Sequence, residues 1–232
     1  MATLGLALGG LALGFSGESW GTPGALRRLW MLYLFWPAVF IWAVGAPSAP
    51  GWKAGLRLIA VSLILTGVGA ALTAWLLGQT SSPPPFRDLL LLAAAFQGLL
   101  LGAGFIGAAF LGRAGGILAP LCVGALLTLG PCLLDPFLER PLPPGWGRAA
   151  VERTLALSPP SLLAPALLGH DLFKEEAFYR SFRAGEELVT TPPLETGMRE
   201  TTRIAVFLAF LGLLGFLVRS CWKMRRSRVT LM

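Results

Sequence analysis

Apolar positions in this chain come in long runs, and charges fall only at the ends of those runs. No charged residue lies between Arg28 and Lys53, Arg57 and Arg87, Asp88 and Arg113, Arg113 and Asp135, or Arg203 and Arg219. A bilayer core about 30 Å thick takes roughly 20 apolar residues of helix to cross. Four of these windows reach that length. The last, residues 204–218, is shorter, but Arg203 and Arg219 can carry their charges to the two interfaces along their aliphatic stems. The pattern predicts spans over Leu29–Val44, Leu58–Leu77, Leu89–Leu111, Gly115–Leu134 and Ile204–Val218. Leu4–Phe15 is a sixth candidate, open between a first span, an interfacial helix and a shortened remnant. The expected fold is therefore all-α: a polytopic helical membrane protein with five or six transmembrane helices.

Turn-forming residues punctuate the runs. APSAPGWKAG (Ala46 to Gly55) and SSPPPFRD (Ser81 to Asp88) are rich in Pro, Ser and Gly, and GRAGG (Gly112 to Gly116) reads as a tight hinge. Residues 139–202 form a long insertion before the last span, opening on PLPPGWG (Pro141 to Gly147). Within it, GRAAVERTLALSPPSLLAPALLG starts as a helical pattern and is broken at Pro159, Pro160 and Pro165. Proline removes a backbone donor and disfavours helix in the residue before it. The expected form is a bent, half-inserted element; broken helices at membrane depth persist only when buried against protein or lining a cavity.

Composition sharpens this picture. The chain is 55% hydrophobic and 13% charged, with mean hydropathy +0.69, which is not the make-up of a soluble core. The net charge of +7 does not indicate nucleic acid. Five basic residues, Arg219, Lys223, Arg225, Arg226 and Arg228, directly follow the last apolar run, where they suit a cytoplasmic anchor against anionic headgroups. Lys53 with Arg57, Arg113 and this tail all fall on one side when the helices alternate, and Arg27 and Arg28 on the other. The reading is a plasma-membrane (cell inner-membrane), multi-pass chain with its C-terminus cytoplasmic. Residues 1–232 make one transmembrane domain, with 139–202 extracytoplasmic and 219–232 a basic cytoplasmic tail. Gly98 and Gly102 have the small-xxx-small spacing that lets helices approach closely.

Two short motifs bear on catalysis. KEEAFYR (Lys174 to Arg180) is similar to the Glu-Glu-x-x-x-Arg motif of CAAX-processing intramembrane proteases through Glu175, Glu176 and Arg180. Such chemistry needs histidines to position water and stabilise an oxyanion, and the only histidine, His170, lies upstream. A surface helix with Glu176 and Arg180 paired at i,i+4 is the preferred reading. GFSG (Gly14 to Gly17) resembles a rhomboid serine motif without the preceding spans that motif uses. Cys122, Cys132 and Cys221 form no CxxC pair, and the sequence carries no P-loop. No catalytic residue, metal ligand or cofactor is expected, and the charge-free windows argue against a proton relay.

The layout as a whole resembles the permease subunit of type-2 ATP-binding cassette exporters. Leu157, Ser158 and Pro159 stand where that family has a Leu-Asn-Pro-like motif, with Ser in place of Asn, and if Leu4–Phe15 is the first span, Ala46–Arg57 falls where the family has a cytoplasmic coupling element. The resemblance implies a gate or re-entrant element at Ser158, Pro159, Pro160 and Pro165, and ATPase contact through Lys53 and Arg57. It implies partners as well: the lipid bilayer, an ATPase subunit in trans, and a second permease as homodimer or heterodimer. The amphipathic helix that the family places before its first span has no counterpart here. The alternative function is a non-catalytic membrane subunit of a larger complex.

Overall fold

A computed structural model describes residues 22–45, 52–78, 83–138, 143, 145–170 and 193–229, with positions 3, 5, 6, 9 and 10 before them. Among the described residues the fold is entirely helical, with no strand. Its elements are α1 Thr22–Val44, α2 Trp52–Leu77, α3 Phe86–Leu133, α4 Asp135–Leu138, α5 Trp146–Leu157, α6 Pro159–Leu168 and α7 Leu194–Val229. Two helical stretches, Leu56–Leu77 and Phe86–Leu133, are long and apolar enough to cross a membrane.

The helix α3 is not one rod. Gly112 has φ 67° and ψ −145°, a combination open essentially to glycine alone. There the chain turns back on itself, so that residues 86–111 and 113–133 form two arms. A Cβ placed on Gly107 would overlap the backbone of Gly115, and one on Gly115 would overlap the backbone of Gly107. Residues eight apart in a straight helix would be about 12 Å apart along its axis. The hinge expected at GRAGG is thus a one-residue turn between two predicted spans.

In α1, the residues Leu29, Leu32, Tyr33, Trp36, Phe40 and Val44 recur at helical spacing and are all buried. Gly45, at φ +71°, ends the helix by donating its N–H to the Ile41 carbonyl at 2.9 Å, a left-handed cap. Pro37 inside α1 lies against Gly124 of the second α3 arm. Along the first arm runs α7: a Cβ on Gly98 would sit 3.3 Å from the Cβ of Ala205, and one on Gly102 would sit 2.8 Å from the backbone of Leu208 and Ala209. The small-xxx-small pair therefore serves packing within the chain.

Three expectations change. The turn after α1 does not reach Gly55, because α2 starts at Trp52 and puts Lys53 and Arg57 on its first two turns. The last helix starts at Leu194, ten residues before Ile204, so residues 194–202 belong to it and not to the insertion; Glu195, Arg199 and Glu200 are helical although polar. Pro165 does not break its helix, since α6 continues through it to Leu168. At the seventh position of α6 its missing N–H forfeits only the bond to the Ser161 carbonyl.

Candidate functional site

The bent element expected from the prolines is built at Ser158. Helix α5 leaves Gly145, at φ +81°, and runs to Leu157. Ser158 then takes an extended conformation, φ −96° and ψ 103°, as a residue before proline prefers. Pro159 and Pro160 occupy the first two positions of α6, where their missing N–H groups would have no helical partner anyway. Gly169, at φ +74°, closes α6 through its N–H to the Pro165 carbonyl at 2.9 Å.

This corner is buried in protein. Ser158, Pro159, Pro160 and Ser161 to Ala164 are all buried, and Pro165 is partly so. Leu162, Leu163 and Leu167 join the main core with the α1, α2 and α3 side chains. The second arm of α3 meets α5 at Gly130, where a Cβ would come 2.7 Å from the Thr154 methyl. The start of α7 closes over the corner. Leu162 lies against Gly197, and the Thr201 hydroxyl donates to the Ala156 carbonyl at 3.3 Å. The Ser161 hydroxyl donates to the Ser158 hydroxyl at 2.9 Å, with both residues fully buried. The structure thus brings together Ser158, Pro159 and Pro160, and adds Ser161 and Thr201. Neither of these stood out in the sequence, because only the fold shows what each hydroxyl meets, the Ser158 hydroxyl for Ser161 and the Ala156 carbonyl for Thr201.

Lys53 and Arg57 lie far along the chain from this corner, at the start of α2, where Arg57 is exposed. KEEAFYR lies outside the described residues, as does most of Leu4–Phe15. The described positions of that run are helical, and Gly10 is buried with Phe35 against it. His170 is exposed just past the end of α6.

A second polar set runs through the helix interior. The hydroxyls of Tyr33 and Thr73 are 3.2 Å apart. Thr73 donates to the Gly69 carbonyl at 2.8 Å. Thr128 donates to the Gly124 carbonyl at 2.8 Å and lies 3.2 Å from the Tyr33 carbonyl. Phe96 meets the Tyr33 ring edge-on, with centroids 5.4 Å apart. These bonds tie α1 to α2 and to the second arm of α3. Gln97 and Ser62 differ: the Gln97 amide nitrogen and oxygen and the Ser62 hydroxyl are buried with no hydrogen-bond partner. At the opposite face of the first arm, an apolar groove of about 650 Å³ opens between it and α7, walled by Ile106, Phe110, Leu211, Leu214 and Val218. Its lining offers no group for chemistry. Among the described residues no cluster of His, Cys, Asp and Glu could hold a metal.

No family model, curated protein or solved structure matches the chain. The helical architecture and the two apolar helices suggest a membrane protein, and the function has to be argued from the site.

Proposed function

We propose that the chain is the permease subunit of an export-type ATP-binding cassette transporter, working in the plasma membrane with a separate ATPase subunit and a second permease. The observation that carries this reading is the buried corner α5–Ser158–α6, which packs against the start of the last helix. A helix pair bent at a Ser-Pro step, packed into the core rather than lying on it, suits a re-entrant element at the outer mouth of a path between two permeases. The two arms of α3, about 39 and 32 Å long at helical rise, each suffice to cross a hydrocarbon core. With α1, α2 and α7 they make five spans, and Leu4–Phe15 would make six. In that arrangement Lys53 and Arg57, on the first turns of α2, face the cytoplasm and offer cationic contact to the ATPase. The Pro159–Leu168 helix forms the outer gate, and Ser158 is the joint on which it turns.

The test is co-purification of the tagged chain from native membranes in a mild detergent. The reading expects an ATPase with a Walker A motif in stoichiometric amount, lost when Lys53 and Arg57 are both changed to Glu. Recovery of other membrane proteins alone would overturn it in favour of a non-catalytic subunit of a larger complex.

A further inference from the structure

The interface between α2 and the first arm of α3 is built unevenly along its length. The connection over residues 78–85 is short, so the two helices run antiparallel. They meet at Gly69, where a Cβ would lie 3.9 Å from that of Ala93. Toward the connection the interface is apolar and closed: Leu76, Leu77, Leu89 and Leu92 are all buried. Away from it the character changes. Ser62, Thr66, Gly69 and Thr73 recur at helical spacing and share one face of α2. Gln97 follows Ala93 by one turn, and the antiparallel register set by the Gly69–Ala93 contact puts it near the level of Thr66. Over residues 56–64 no position of α2 is fully buried, and Leu56, Ile59, Leu63 and Ile64 are well exposed.

Gln97 is only 3% exposed, and its carboxamide bonds to nothing. Such a group, which can donate two hydrogen bonds and accept two, is costly to hold unpaired in a hydrocarbon setting. The hydroxyls on this face of α2 make no bond to it. Thr66 gives its hydroxyl hydrogen to the Ser62 carbonyl at 2.8 Å, and the Ser62 hydroxyl is itself buried without a partner. Both helices lack charged residues along this stretch, from Arg57 to Arg87 and from Asp88 to Arg113, so a charged ligand would find no counter-ion.

We propose that the α2–α3 interface is a seam that opens: it hinges at the Leu76–Leu92 end and parts at the Ser62–Gln97 end, where Gln97 and Ser62 take up water. Opening satisfies the carboxamide and the hydroxyl. Over residues 56–64 the apolar contact it gives up is that of the half-buried Leu58 and Val61. The closed and open forms differ in the hydration of two side chains, Gln97 and Ser62, of which the Gln97 carboxamide gives the readable signal. The inference stands apart from the permease reading and holds for any role of the chain.

The test is side-chain hydrogen–deuterium exchange of the full chain in lipid bilayers, read by NMR. The sequence has two glutamines, Gln79 and Gln97, so Gln79→Asn with nitrogen-labelled glutamine leaves one carboxamide signal. Local opening predicts that this carboxamide exchanges at least about tenfold faster than the Leu92 backbone amide. Equal protection of the two overturns the proposal on its own. A second arm closes the seam covalently: with Cys122, Cys132 and Cys221 changed to Ser, Gly69→Cys and Ala93→Cys stand at a separation that suits a disulfide. Oxidation should slow Gln97 exchange to the Leu92 level and reduction should restore it. Exchange that is equally fast in both states, or a pair that does not oxidise, overturns the hinged seam.

Discussion

Two of the long neighbours of the first arm of α3, α7 and α2, are joined to it by opposite means. Against α7 it presents glycines. Gly98 and Gly102 receive Ala205, Leu208 and Ala209, and Gly212 of α7 fits against Phe105 and the Gly102 carbonyl, at 2.8 and 3.0 Å from where its Cβ would be. Against α2 it presents Ala93 and Gln97, facing a stripe of Ser and Thr. In a bilayer no hydrophobic force pulls helices together, so close backbone approach and interhelical hydrogen bonds must do so. The α7 side uses the first means fully. The α2 side uses the second incompletely, since Gln97 is left without a bond. One interface is fitted for permanence, and the other keeps a reason to part.

Substitutions that enlarge the glycines and those that remove the polar groups should therefore act in opposite directions. The largest effect is expected inside the hairpin, where Gly107→Leu or Gly115→Leu sets a side chain against backbone. Either should cost upwards of about 4 kcal/mol and leave little monodisperse protein in detergent; an unchanged thermal midpoint would refute the tight turn. Gly102→Leu should cost about 1–3 kcal/mol by overpacking the α7 seam, read as a lowered midpoint. On the other seam, Gln97→Leu should raise the midpoint, by about 1–3 kcal/mol, because a buried unsatisfied amide is replaced by an apolar side chain of similar size. A fall in its place would show the carboxamide to be bonded in the folded form and erase the contrast. Tyr33→Phe removes one interhelical hydroxyl contact while Thr73 keeps its bond to Gly69, and about 0.6 kcal/mol is expected from membrane-helix measurements. Least of all, Arg148→Ala breaks an exposed pair with Glu152 on α5 and should shift stability by about 0.3 kcal/mol, within the scatter of a thermal scan.

How far these features could be read beforehand follows from what each depends on. The two arms of α3 and their hinge were legible because a charge-free window and a glycine-rich break are local facts. The Ser158 corner was legible for the same reason: a proline constrains its own residue and the one before it, wherever the chain goes. Pro165 was misread because position within a helix decides whether a missing donor matters. The starts of α2 and α7 were missed because hydropathy marks where lipid would lie, whereas a helix continues through Lys53 or Glu195 as readily as through leucine. Gln97 stands in the sequence only as a polar residue within a charge-free window. Its burial without a partner depends on which neighbour each helix face meets, and spacing along one strand of sequence does not contain that.

The turn at Gly112 has a consequence for how the protein is made. With a single residue between the arms, the five-span arrangement proposed above leaves no slack between them, and the two would enter a bilayer as one hairpin with Gly107 and Gly115 side by side. Arg113, beside the turn, is the one charge between Asp88 and Asp135. In that arrangement Arg113 would mark the side of the bilayer on which the pair reverses.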